Sequence, residues 1–427
     1  MSVPKGFRDI EPDVARVRYK VIDELRRNYE LFGFNPLETP AIEYWETLSG
    51  KYGEEAESKL IWRFVDPFSN REYALRYDLT VPLARYVASH PELPLPFKRY
   101  QIGLVWRHEE PQRMRYREFM QADADIVGSP YVEADAEVVN VTLKGLWSVG
   151  LSDAYVRINH RKLIYHVFEK ELQIDNPLPV LRIVDKLDKI GPSGVENELL
   201  RVGMNESTVR KIMELIQIKG RWGEAEEQLR RVVSQGGVEV INELAELFSL
   251  ITSSDKSSIF DLSMVRGLDY YTGPIFEFNV ESTVAPSVGG GGRYDGLIGL
   301  LSKKIDLPAT GASIGVDRVV DILVREKQAV NAYREAKVYV IYLKKELYKH
   351  AWEIAMFLRN KGIRAEIDLM RRSEAKQRKN ALSSGATHLL FVGEKEIATS
   401  MYTLYEVSSG QRITAGLEDI AKHVQSA

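Results

Sequence analysis

The stretch between Phe97 and Gly128 places the tightest limit on how this chain can fold. Residues 98–108 predict a strand, residues 109–114 a charged loop, and residues 115–127 a returning strand. In a strand, alternate side chains share one face, so each predicted strand has two faces that can differ in chemistry. The sequence therefore predicts a long pair of strands joined by a charged connection.

One face of the second predicted strand groups its side chains by chemistry. The residues on that face are Arg115, Arg117, Phe119, Gln121, Asp123 and Asp125. Arginines at one end, an aromatic ring in the middle, and an amide with carboxylates at the other end suit a ligand with phosphate, purine and amino groups. An exposed face with unrelated polar residues is the alternative, but such a face seldom groups by chemistry.

Hydrophobic spacing divides the rest of the chain into parts. Residues 13–32 predict an amphipathic helix that ends at Gly33. Residues 177–255 predict short helices separated by turns, and thus a helical insertion within a domain that spans residues 1–325. After a charged linker at residues 326–336, strands and helices alternate over residues 337–427. This alternation predicts a second, α/β domain with a parallel or mixed sheet.

Composition excludes several kinds of function. The 427 residues include no cysteine, so disulfides, thiolate nucleophiles and cysteine-bound metals are excluded. The 7 histidines lack the spacing of metal ligands, and no dedicated metal site is predicted. No apolar run is long enough to span a membrane, and the first residues lack the apolar core of a signal peptide. A cytoplasmic protein is therefore expected.

The net charge of −3 does not indicate nucleic-acid binding by the chain as a whole. A local patch at residues 359–380 nevertheless combines eight basic with three acidic side chains, a local charge of +5. A nucleic acid is one explanation of this patch. A solvated helix face is the other, and the residues taken alone favour it.

Two common nucleotide-binding motifs are absent from the sequence. No G-x-x-x-x-G-K-[ST] string occurs, so the chain is not a P-loop enzyme. The glycine run at residues 289–292 does not complete G-x-G-x-x-G, so a Rossmann nucleotide site is not expected there. These glycines predict bends at which the backbone approaches a ligand closely.

The predicted strand pair resembles the second signature motif of class II aminoacyl-tRNA synthetases. Arg107-His-Glu-Glu-Pro111 and Arg115-Tyr-Arg-Glu-Phe-Met-Gln121 carry this resemblance. Residues 34–43, with Thr39-Pro40, resemble the first motif, and residues 310–318, which end in Arg318, resemble the third. The H-I-G-H and K-M-S-K-S strings of class I enzymes are absent.

Three further strings resemble the histidine-specific members of this class. Residues 75–80 match L-R-x-D-L-T, residues 266–271 match R-G-L-D-Y-Y, and residues 290–297 match G-G-G-R-Y-D-G-L. The resemblance covers residues 1–325, and the C-terminal part is similar to the family's anticodon-binding domain. There Ser400-Met-Tyr-Thr-Leu-Tyr405 replaces a more usual glycine-containing turn and strand. The chain is thus identified as a member of the histidyl-tRNA synthetase family.

The resemblance implies an α+β catalytic domain with a central antiparallel sheet of the class II type, a helical insertion and a C-terminal α/β domain. It implies a homodimer whose twofold interface involves the first motif with Pro40. The implied substrates are L-histidine, ATP and histidine tRNA, and Mg²⁺ is expected to accompany ATP without a dedicated protein site. The implied reaction forms histidyl-adenylate and pyrophosphate, and then esterifies the 3′ end of the tRNA.

The resemblance also assigns roles to single residues. Arg266 and Arg107 are the expected catalytic residues, because a cation at the substrate carboxylate and α-phosphate offsets the repulsion between two anions. ATP is assigned to Arg107, Glu109, Arg115, Phe119 and Arg318. Histidine is assigned to Asp78, Leu79, Thr80, Arg107, Gln121, Asp125, Arg266, Tyr270 and Tyr271. Transfer RNA is assigned to Gln112, Arg371, Arg372, Lys376, Arg378 and Lys379.

Two functions without aminoacylation remain open for a chain of this kind. One is a regulatory subunit of the first histidine-biosynthesis enzyme, which binds histidine and usually lacks the C-terminal domain. The other is a synthetase-like tRNA sensor or polymerase accessory subunit. The chain keeps Arg107, Arg266 and Arg318 as well as the C-terminal part, and this combination favours the enzyme.

Overall fold

The chain forms two compact units, Met1–Val330 and Asn331–Ala427. The computed structural model describes residues 2–53, 56–251, 257–265, 270–283, 287–302, 305–326 and 336–426. Residues 327–335 of the predicted linker lie outside these ranges. No helix within them has both the length and the apolarity that crossing a membrane requires.

Twelve strands are present in the described residues of the first unit. They are β1 (Asn35–Pro36), β2 (Ile42–Tyr44), β3 (Arg63–Val65), β4 (Glu72–Leu75), β5 (Phe97–Trp106), β6 (Glu118–Val127), β7 (Ala154–His160), β8 (Lys219–Gly220), β9 (Ser258–Asp261), β10 (Pro274–Val280), β11 (Gly289–Arg293) and β12 (Ala309–Gly315). Nine of them form one sheet in the order β1-β5-β6-β12-β11-β10-β7-β9-β8, and a small sheet has the order β2-β4-β3.

Helices cover the same unit. They are α1 (Pro12–Leu31), α2 (Trp45–Leu48), α3 (Thr80–Ala88), α4 (Val132–Ser148), α5 (Arg161–His166), α6 (Leu178–Val184), α7 (Leu187–Arg201), α8 (Glu206–Leu215), α9 (Trp222–Val232), α10 (Val238–Leu250) and α11 (Val316–Arg325). Short π- and 3₁₀-helical turns occur at Ala56–Leu60, Val167–Glu171 and Gln235–Gly237. The helices α6 to α10 fall in the stretch where the sequence predicts a helical insertion.

The large sheet is mixed, so the expectation of a central antiparallel sheet holds only for its middle. Strands β1 and β5 pair in parallel, and so do β7 and β9. The other neighbours in this sheet are antiparallel. Parallel neighbours need a crossover of about a dozen or more residues, and the helices α5 to α10 lie in the connection from β7 to β9. The stretch predicted as a helical insertion therefore lies in one of the two crossovers that make the sheet mixed.

Helix α1 confirms the amphipathic pattern predicted for residues 13–32. Its fully buried side chains Val17, Val21 and Leu25 follow one another at intervals of four residues, which keeps them on one face. The helix packs against α4 and α11. Tyr29 continues the buried face, and its hydroxyl donates to the carbonyl oxygen of Ala122 on β6 at 3.0 Å. The helix thus covers the side of the sheet that carries the small apolar residues of β6.

The strands β5 and β6 are shorter than the sequence predicts. Their ladder ends where Trp106 pairs with Glu118, so the connection between them is longer than the predicted loop. The physical reason is a competing partner, since the backbone N–H of Arg117 donates to the carbonyl oxygen of Gly6 at 2.9 Å. The N-terminal segment therefore accepts the N–H of Arg117, while the carbonyl oxygen of Arg117 still accepts from the N–H of Arg107 at 2.9 Å.

The second unit has one sheet with helices α12 (Tyr348–Asn360), α13 (Glu374–Ser383), α14 (Glu394–Thr399) and α15 (Leu417–Ser426). Its strands are β13 (Lys337–Tyr342), β14 (Arg364–Ile367), β15 (His388–Val392), β16 (Tyr402–Glu406) and β17 (Arg412–Ala415). The order is β14-β13-β15-β16-β17, parallel in the first three strands and antiparallel in the last two pairings. The prediction of a parallel or mixed sheet is confirmed as mixed. Ser400, just before β16, has a φ of 54°, a region that glycine occupies more readily.

We expect Leu25→Ala to lower the free energy of unfolding by about 2–5 kcal/mol, because a fully buried leucine leaves a cavity in the core. The matched control is Leu31→Ala in the same helix, where the side chain is 85% exposed and the change should stay within about 0.5 kcal/mol. Urea unfolding of both variants measures the difference. Equal effects would contradict the packing described for α1.

Candidate active site

A cavity of about 260 Å³ lies against strands β6, β11 and β12 and the first turn of α11. Most residues that the sequence assigns to ATP and histidine line it. They are Asp78, Thr80, Arg107, Glu109, Arg115, Phe119, Gln121, Asp125, Tyr270, Tyr271 and Arg318. Arg266 lies outside the described residues, so its role stays a prediction.

Strand register explains why polar groups collect in this cavity. Asp125 pairs with Arg99 on β5 and with Gly311 on β12, and two residues earlier Asp123 pairs with Ser313. Paired residues and residues two apart share a face of the sheet. The four members of the predicted face that lie on β6 line the cavity, namely Phe119, Gln121, Asp123 and Asp125.

The two arginines at the start of the predicted face precede β6 and do not belong to the strand. They therefore need not point to the same side as the four residues on β6. Arg115 lines the cavity from the loop, where its guanidinium is 3.7 Å from the carboxylate of Glu109. Arg117 instead donates from Nε to the carbonyl oxygen of Glu109 at 3.0 Å. Its inclusion in the face is wrong, because strand alternation does not extend to residues outside the ladder.

Glycines create the space that the polar groups occupy. A Cβ added to Gly311 would lie 2.0 Å from Oδ1 of Asp125, so the carboxylate can lie over β12 only because this position has no side chain. Gly289 and Gly290 line the cavity from β11. The sequence predicted bends at these glycines, but they form a regular strand between β10 and β12. The bare backbone of a strand, and not a bend, provides the close approach.

Asp78 is a buried carboxylate, and only one of its two oxygens accepts hydrogen bonds from the described residues. Its Oδ1 accepts from the hydroxyl of Tyr52 at 3.0 Å and from the backbone N–H of Val81 at 3.0 Å, in the first turn of α3. Its Oδ2 is buried and accepts no hydrogen bond from the described residues. Burial raises the pKa of Asp78, an effect that the Val81 N–H and the Arg107 guanidinium oppose.

Gln121 presents a second buried acceptor. Its Nε2 donates to the hydroxyl of Ser313 at 3.1 Å, which fixes the orientation of the amide. The oxygen Oε1 is buried and has no hydrogen-bond donor among the described residues. Buried polar atoms normally have a partner, so these unsatisfied oxygens of Gln121 and Asp78 indicate a place for a donor that comes from a ligand.

Two more carboxylates lie deeper in the same cavity. Asp125 forms an ion pair with Arg99 at 3.0 Å and accepts from the hydroxyl of Tyr294 at 2.5 Å. Burial raises the pKa of Asp125, and the Arg99 charge and the Tyr294 hydrogen bond oppose this rise. Burial raises the pKa of Asp123 well above its ordinary value, with Arg99 again opposing the rise.

Cationic side chains also line the cavity. Arg107 donates from Nε to the carbonyl oxygen of Tyr77 at 3.2 Å, and its guanidinium lies 4.4 Å from the ring centre of Tyr77 and 5.3 Å from that of Phe119. These contacts hold the guanidinium while leaving its terminal nitrogens near the cavity. Arg318, at the start of α11, donates to the carbonyl oxygens of Met114 and Ser287.

The start of α11 is itself fixed by Asp317. One carboxylate oxygen accepts from the backbone N–H of Met120 at 2.6 Å, and the other accepts from Arg8 at 2.7 Å. Asp317 therefore ties the helix that carries Arg318 to strand β6 and to the N-terminal segment.

Two residues assigned to ligands lie away from this cavity. Leu79 is fully buried and does not line the cavity, and its carbonyl oxygen accepts from Arg99 at 2.8 Å. Gln112 is exposed in the loop between β5 and β6, where it forms a backbone bridge with Arg115. Among the described residues, no group of three or more histidine or acidic side chains is arranged to hold a metal ion.

Four residues that contact the assigned side chains had no role predicted from the sequence, namely Tyr52, Arg99, Tyr294 and Ser313. Tyr294 and Ser313 lie inside the strings that carry the family resemblance, so a signal existed for both. Arg99 stands opposite Asp125 once the two strands are paired, which a register prediction would have found. Nothing in the sequence around Tyr52 indicates a contact with Asp78.

The residues assigned to transfer RNA in the second unit differ in whether they already contact a carboxylate. Arg372 is 3.6 Å from the carboxylate of Asp368, and Arg378 forms an ion pair with Glu374 at 2.5 Å. Lys376 is exposed, and it lines a second cavity of about 400 Å³ with Arg371 and Arg372. Lys379 is also exposed.

Comparison with known proteins agrees with both units. A family described as histidyl-tRNA synthetase matches residues 6–319, and one described as an anticodon binding domain matches residues 337–427. The histidine–tRNA ligase of Aeropyrum pernix is 52% identical over 425 residues, covering 99% of this chain and 97% of the relative. That of Korarchaeum cryptofilum is 50% identical and covers 95% and 94%.

A solved structure of this family has a similar fold over the whole chain. The histidyl-tRNA synthetase from a Nostoc species superposes with a TM-score of 0.85 at 29% identity, covering 100% of this chain and 99% of that one. The fold, the polar cavity and these matches define an aminoacyl-tRNA synthetase. Within that class the chain belongs to the histidyl-tRNA synthetase family, which confirms the resemblance found in the sequence.

We expect Gly311→Ala to destabilise the protein by about 1–3 kcal/mol, because the new methyl group collides with the buried Asp125 carboxylate. Gly315→Ala on the same strand is the matched control. A Cβ there meets its nearest atom at 3.5 Å, an ordinary contact, so the expected change is below about 0.5 kcal/mol. Thermal unfolding of the two variants tests this, and equal melting temperatures would contradict the described packing of Asp125 over Gly311.

Proposed function

We propose that the chain activates L-histidine with ATP to give histidyl-adenylate and pyrophosphate, and then esterifies the 3′ end of histidine tRNA. The names of its relatives, histidine–tRNA ligase, support this activity over 99% of the chain. The observation that carries the proposal is the pair of unsatisfied buried oxygens, Asp78 Oδ2 and Gln121 Oε1, in a cavity that also holds cationic side chains.

These two oxygens suit the α-ammonium group of an amino acid. An ammonium group has three N–H donors and no acceptor, so it satisfies acceptors that no described residue pairs. Thr80, which also lines the cavity, offers a hydroxyl as a further acceptor. The carboxylate of Asp78 adds charge complementarity, and a charge-assisted hydrogen bond is worth about 1.5–3 kcal/mol.

The imidazole ring is assigned to Asp125 and to the tyrosines at positions 270 and 271. The two tyrosine rings meet edge to face with centres 5.0 Å apart, which gives the cavity an aromatic wall. An imidazole N–H would donate to Asp125. A pocket built to pair ring nitrogens rejects analogues without them, because its own buried groups would be left unpaired.

ATP is assigned to the cationic side chains of the cavity, with Phe119 against the adenine and Arg107, Arg115 and Arg318 on the phosphates. The histidine carboxylate must approach the α-phosphate, and two like charges at 4 Å repel by roughly 4 kcal/mol at an effective dielectric near 20. Arg107, held beside Tyr77, offsets this repulsion, and we propose the same for Arg266. Glu109 completes the ATP set beside Arg115.

ATP is expected to bind as its magnesium complex, with the phosphates as the main ligands of the ion. The remaining chemistry requires no covalent residue, because holding the carboxylate and the α-phosphate in line converts an encounter into an intramolecular step. Leu79 contributes to histidine binding only through its backbone, since its side chain is buried away from the cavity.

We also propose a homodimer. The small sheet begins just after Thr39-Pro40, and it presents Tyr44 and Phe64 to solvent together with Ile42. Exposed apolar and aromatic side chains next to one another are typical of protein interfaces. A twofold dimer would bury this surface against its own copy.

Transfer RNA is assigned to Gln112 in the loop before β6 and to basic residues of the second unit. Lys376 and Lys379 are better placed than Arg372 and Arg378, because the two arginines already contact carboxylates of the same unit. A lysine without an ion pair among the described residues has no carboxylate that competes with a phosphate for its ammonium group.

We expect histidine, alone among the standard amino acids, to stimulate ATP–pyrophosphate exchange by the full chain. Asp78→Asn should raise the KM for histidine by about tenfold or more, because the ammonium group loses a charged acceptor. Asp419→Asn, which changes an exposed carboxylate of the second unit, is the control. The absence of exchange would favour the two functions without aminoacylation. Equal stimulation by another amino acid would contradict the assignment to histidine.

We expect Lys376→Ala to raise the KM for histidine tRNA in the charging reaction by about three- to tenfold while leaving exchange unchanged, because one phosphate contact is lost. Lys422→Ala, an exposed lysine on α15, is the matched control. Raising the salt concentration should reduce the difference between Lys376→Ala and the unaltered chain. An equal loss of exchange and charging would mean that Lys376 has a structural role.

A further inference from the structure

Arg99 is a fully buried guanidinium next to the site, and none of the assigned functions uses it. It lies on β5, directly opposite Asp125, and none of its side chain is exposed. Its Nη2 is 3.0 Å from the Asp125 carboxylate and donates to the carbonyl oxygen of Leu79 at 2.8 Å. Isolating a charge from water in this way costs free energy, so the ion must be balanced by a fixed opposite charge.

Two carboxylates lie on the side of the sheet that Arg99 occupies. Asp123 and Asp125 are both buried on the same face of β6, and Arg99 lies directly opposite Asp125, while the Arg107 guanidinium also acts on Asp123. Asp125 receives both the ion pair and the hydrogen bond from Tyr294. Oδ1 of Asp123 and Oδ2 of Asp125 are both buried without a hydrogen bond from the described residues, so the contact that distinguishes Asp125 is the hydrogen bond from Tyr294 to its other oxygen.

The two carboxylates differ in the contacts that stabilise their ionised forms. Burial raises the pKa of Asp123 well above its ordinary range and also raises that of Asp125. Arg99 opposes the rise at both groups, but the hydrogen bond from Tyr294 favours the ionised form of Asp125 only. The Arg99 charge and the Tyr294 hydrogen bond thus both favour the ionised form of Asp125.

We propose that Arg99 is the positioning residue for recognition of the histidine ring: it holds Asp125 in place and ionised, so that the carboxylate accepts the imidazole N–H. This proposal rests on the proposed function, in which Asp125 contacts the ring. Arg99 itself does not line the cavity and touches no substrate. It acts through the carboxylate that it faces.

Arg99 also connects the two ends of the amino-acid site. Its bond to the carbonyl oxygen of Leu79 holds the backbone between Asp78, which is assigned to the ammonium group, and Thr80. The same guanidinium holds Asp125, which is assigned to the ring. One guanidinium therefore contacts both the backbone beside Asp78 and the carboxylate of Asp125.

The groups that face Asp125 from the surrounding elements are few. Arg99 faces it from β5, Asp123 lies beside it on β6, and Tyr294 donates to it from the chain after β11. Asp78 acts on it from the turn before α3, and the Tyr29 hydroxyl of α1 also interacts with its charge. The residue opposite on β12 is a glycine and has no charge. Arg99 is thus the cation on which the ionisation of Asp125 depends.

The test compares Arg99→Met with the unaltered full-length chain in histidine-dependent ATP–pyrophosphate exchange. We expect the KM for histidine to rise by about ten- to a hundredfold near neutral pH, with a smaller effect on kcat. Without Arg99 the pKa of Asp125 is higher, so less of it is ionised at a given pH and the ionised fraction recovers as the pH is raised. The ratio of the two KM values should therefore fall between about pH 6 and about pH 9.

Two variants control for a general loss of structure. Arg157→Met removes another buried arginine of the same sheet, which pairs with Asp261 at 2.8 Å, and any change in its KM should keep the same ratio across the pH range. Arg99→Lys keeps the charge but not the geometry of the guanidinium. Its KM should rise less than that of Arg99→Met, with a ratio that does not depend on pH.

The possible outcomes distinguish a failure of the proposed function from a failure of the proposal for Arg99. If the unaltered chain shows no histidine-dependent exchange, the proposed function fails. If it is active but the Arg99→Met ratio does not change with pH, or kcat falls while KM stays constant, the proposal for Arg99 is overturned. Arg99→Met/Asp123→Asn also removes the carboxyl group beside Asp125 and provides the same readout if the single variant does not fold. If the double variant does not fold either, Arg99 is required for the fold and the proposal also fails.

Discussion

The hydrogen-bonded register between β6 and its two neighbours is the constraint on which the site depends. A strand has only two faces, so a slip by one residue would move every side chain of β6 to the other side of the sheet. Ala122 and Ala124 then would face the cavity, and Asp123 and Asp125 would face the apolar layer that includes Tyr29 of α1. The hydrogen bond from the Tyr29 hydroxyl to the carbonyl oxygen of Ala122 favours the observed register over the shifted one. Packing on one face thereby determines the chemistry on the other.

Features with a short period could be predicted from the sequence. The alternation along β6 identified Phe119, Gln121, Asp123 and Asp125 as members of one face, and all four line the cavity. The spacing of buried residues in α1 predicted that helix closely. Both patterns arise from local backbone geometry, which every residue of the element repeats. Motif resemblance then supplied the family, which the comparisons confirm.

Features that depend on distant partners could not be predicted in this way. Arg117 leaves the predicted face because its N–H pairs with Gly6, more than a hundred residues earlier in the chain. Tyr52 meets Asp78 through the folding of a loop that has no regular period. The prediction of an antiparallel sheet was only partly right. The parallel pairs result from crossovers, and no local sequence pattern indicates which strands a crossover brings together. The contribution of Arg266 stays a prediction.

The crossover between β7 and β9 also has a consequence for how such a chain can change over time. Parallel neighbours set a lower limit of about a dozen residues on their connection, but they set no upper limit. Each doubling of a flexible connection costs only about 0.6 kcal/mol of closure entropy. Whole helices can accumulate here while the strands keep their pairing, and Arg157 on β7 already anchors the added segment through Asp188 at 2.8 Å. This connection is therefore where the lineage can vary its size without disturbing the chemistry.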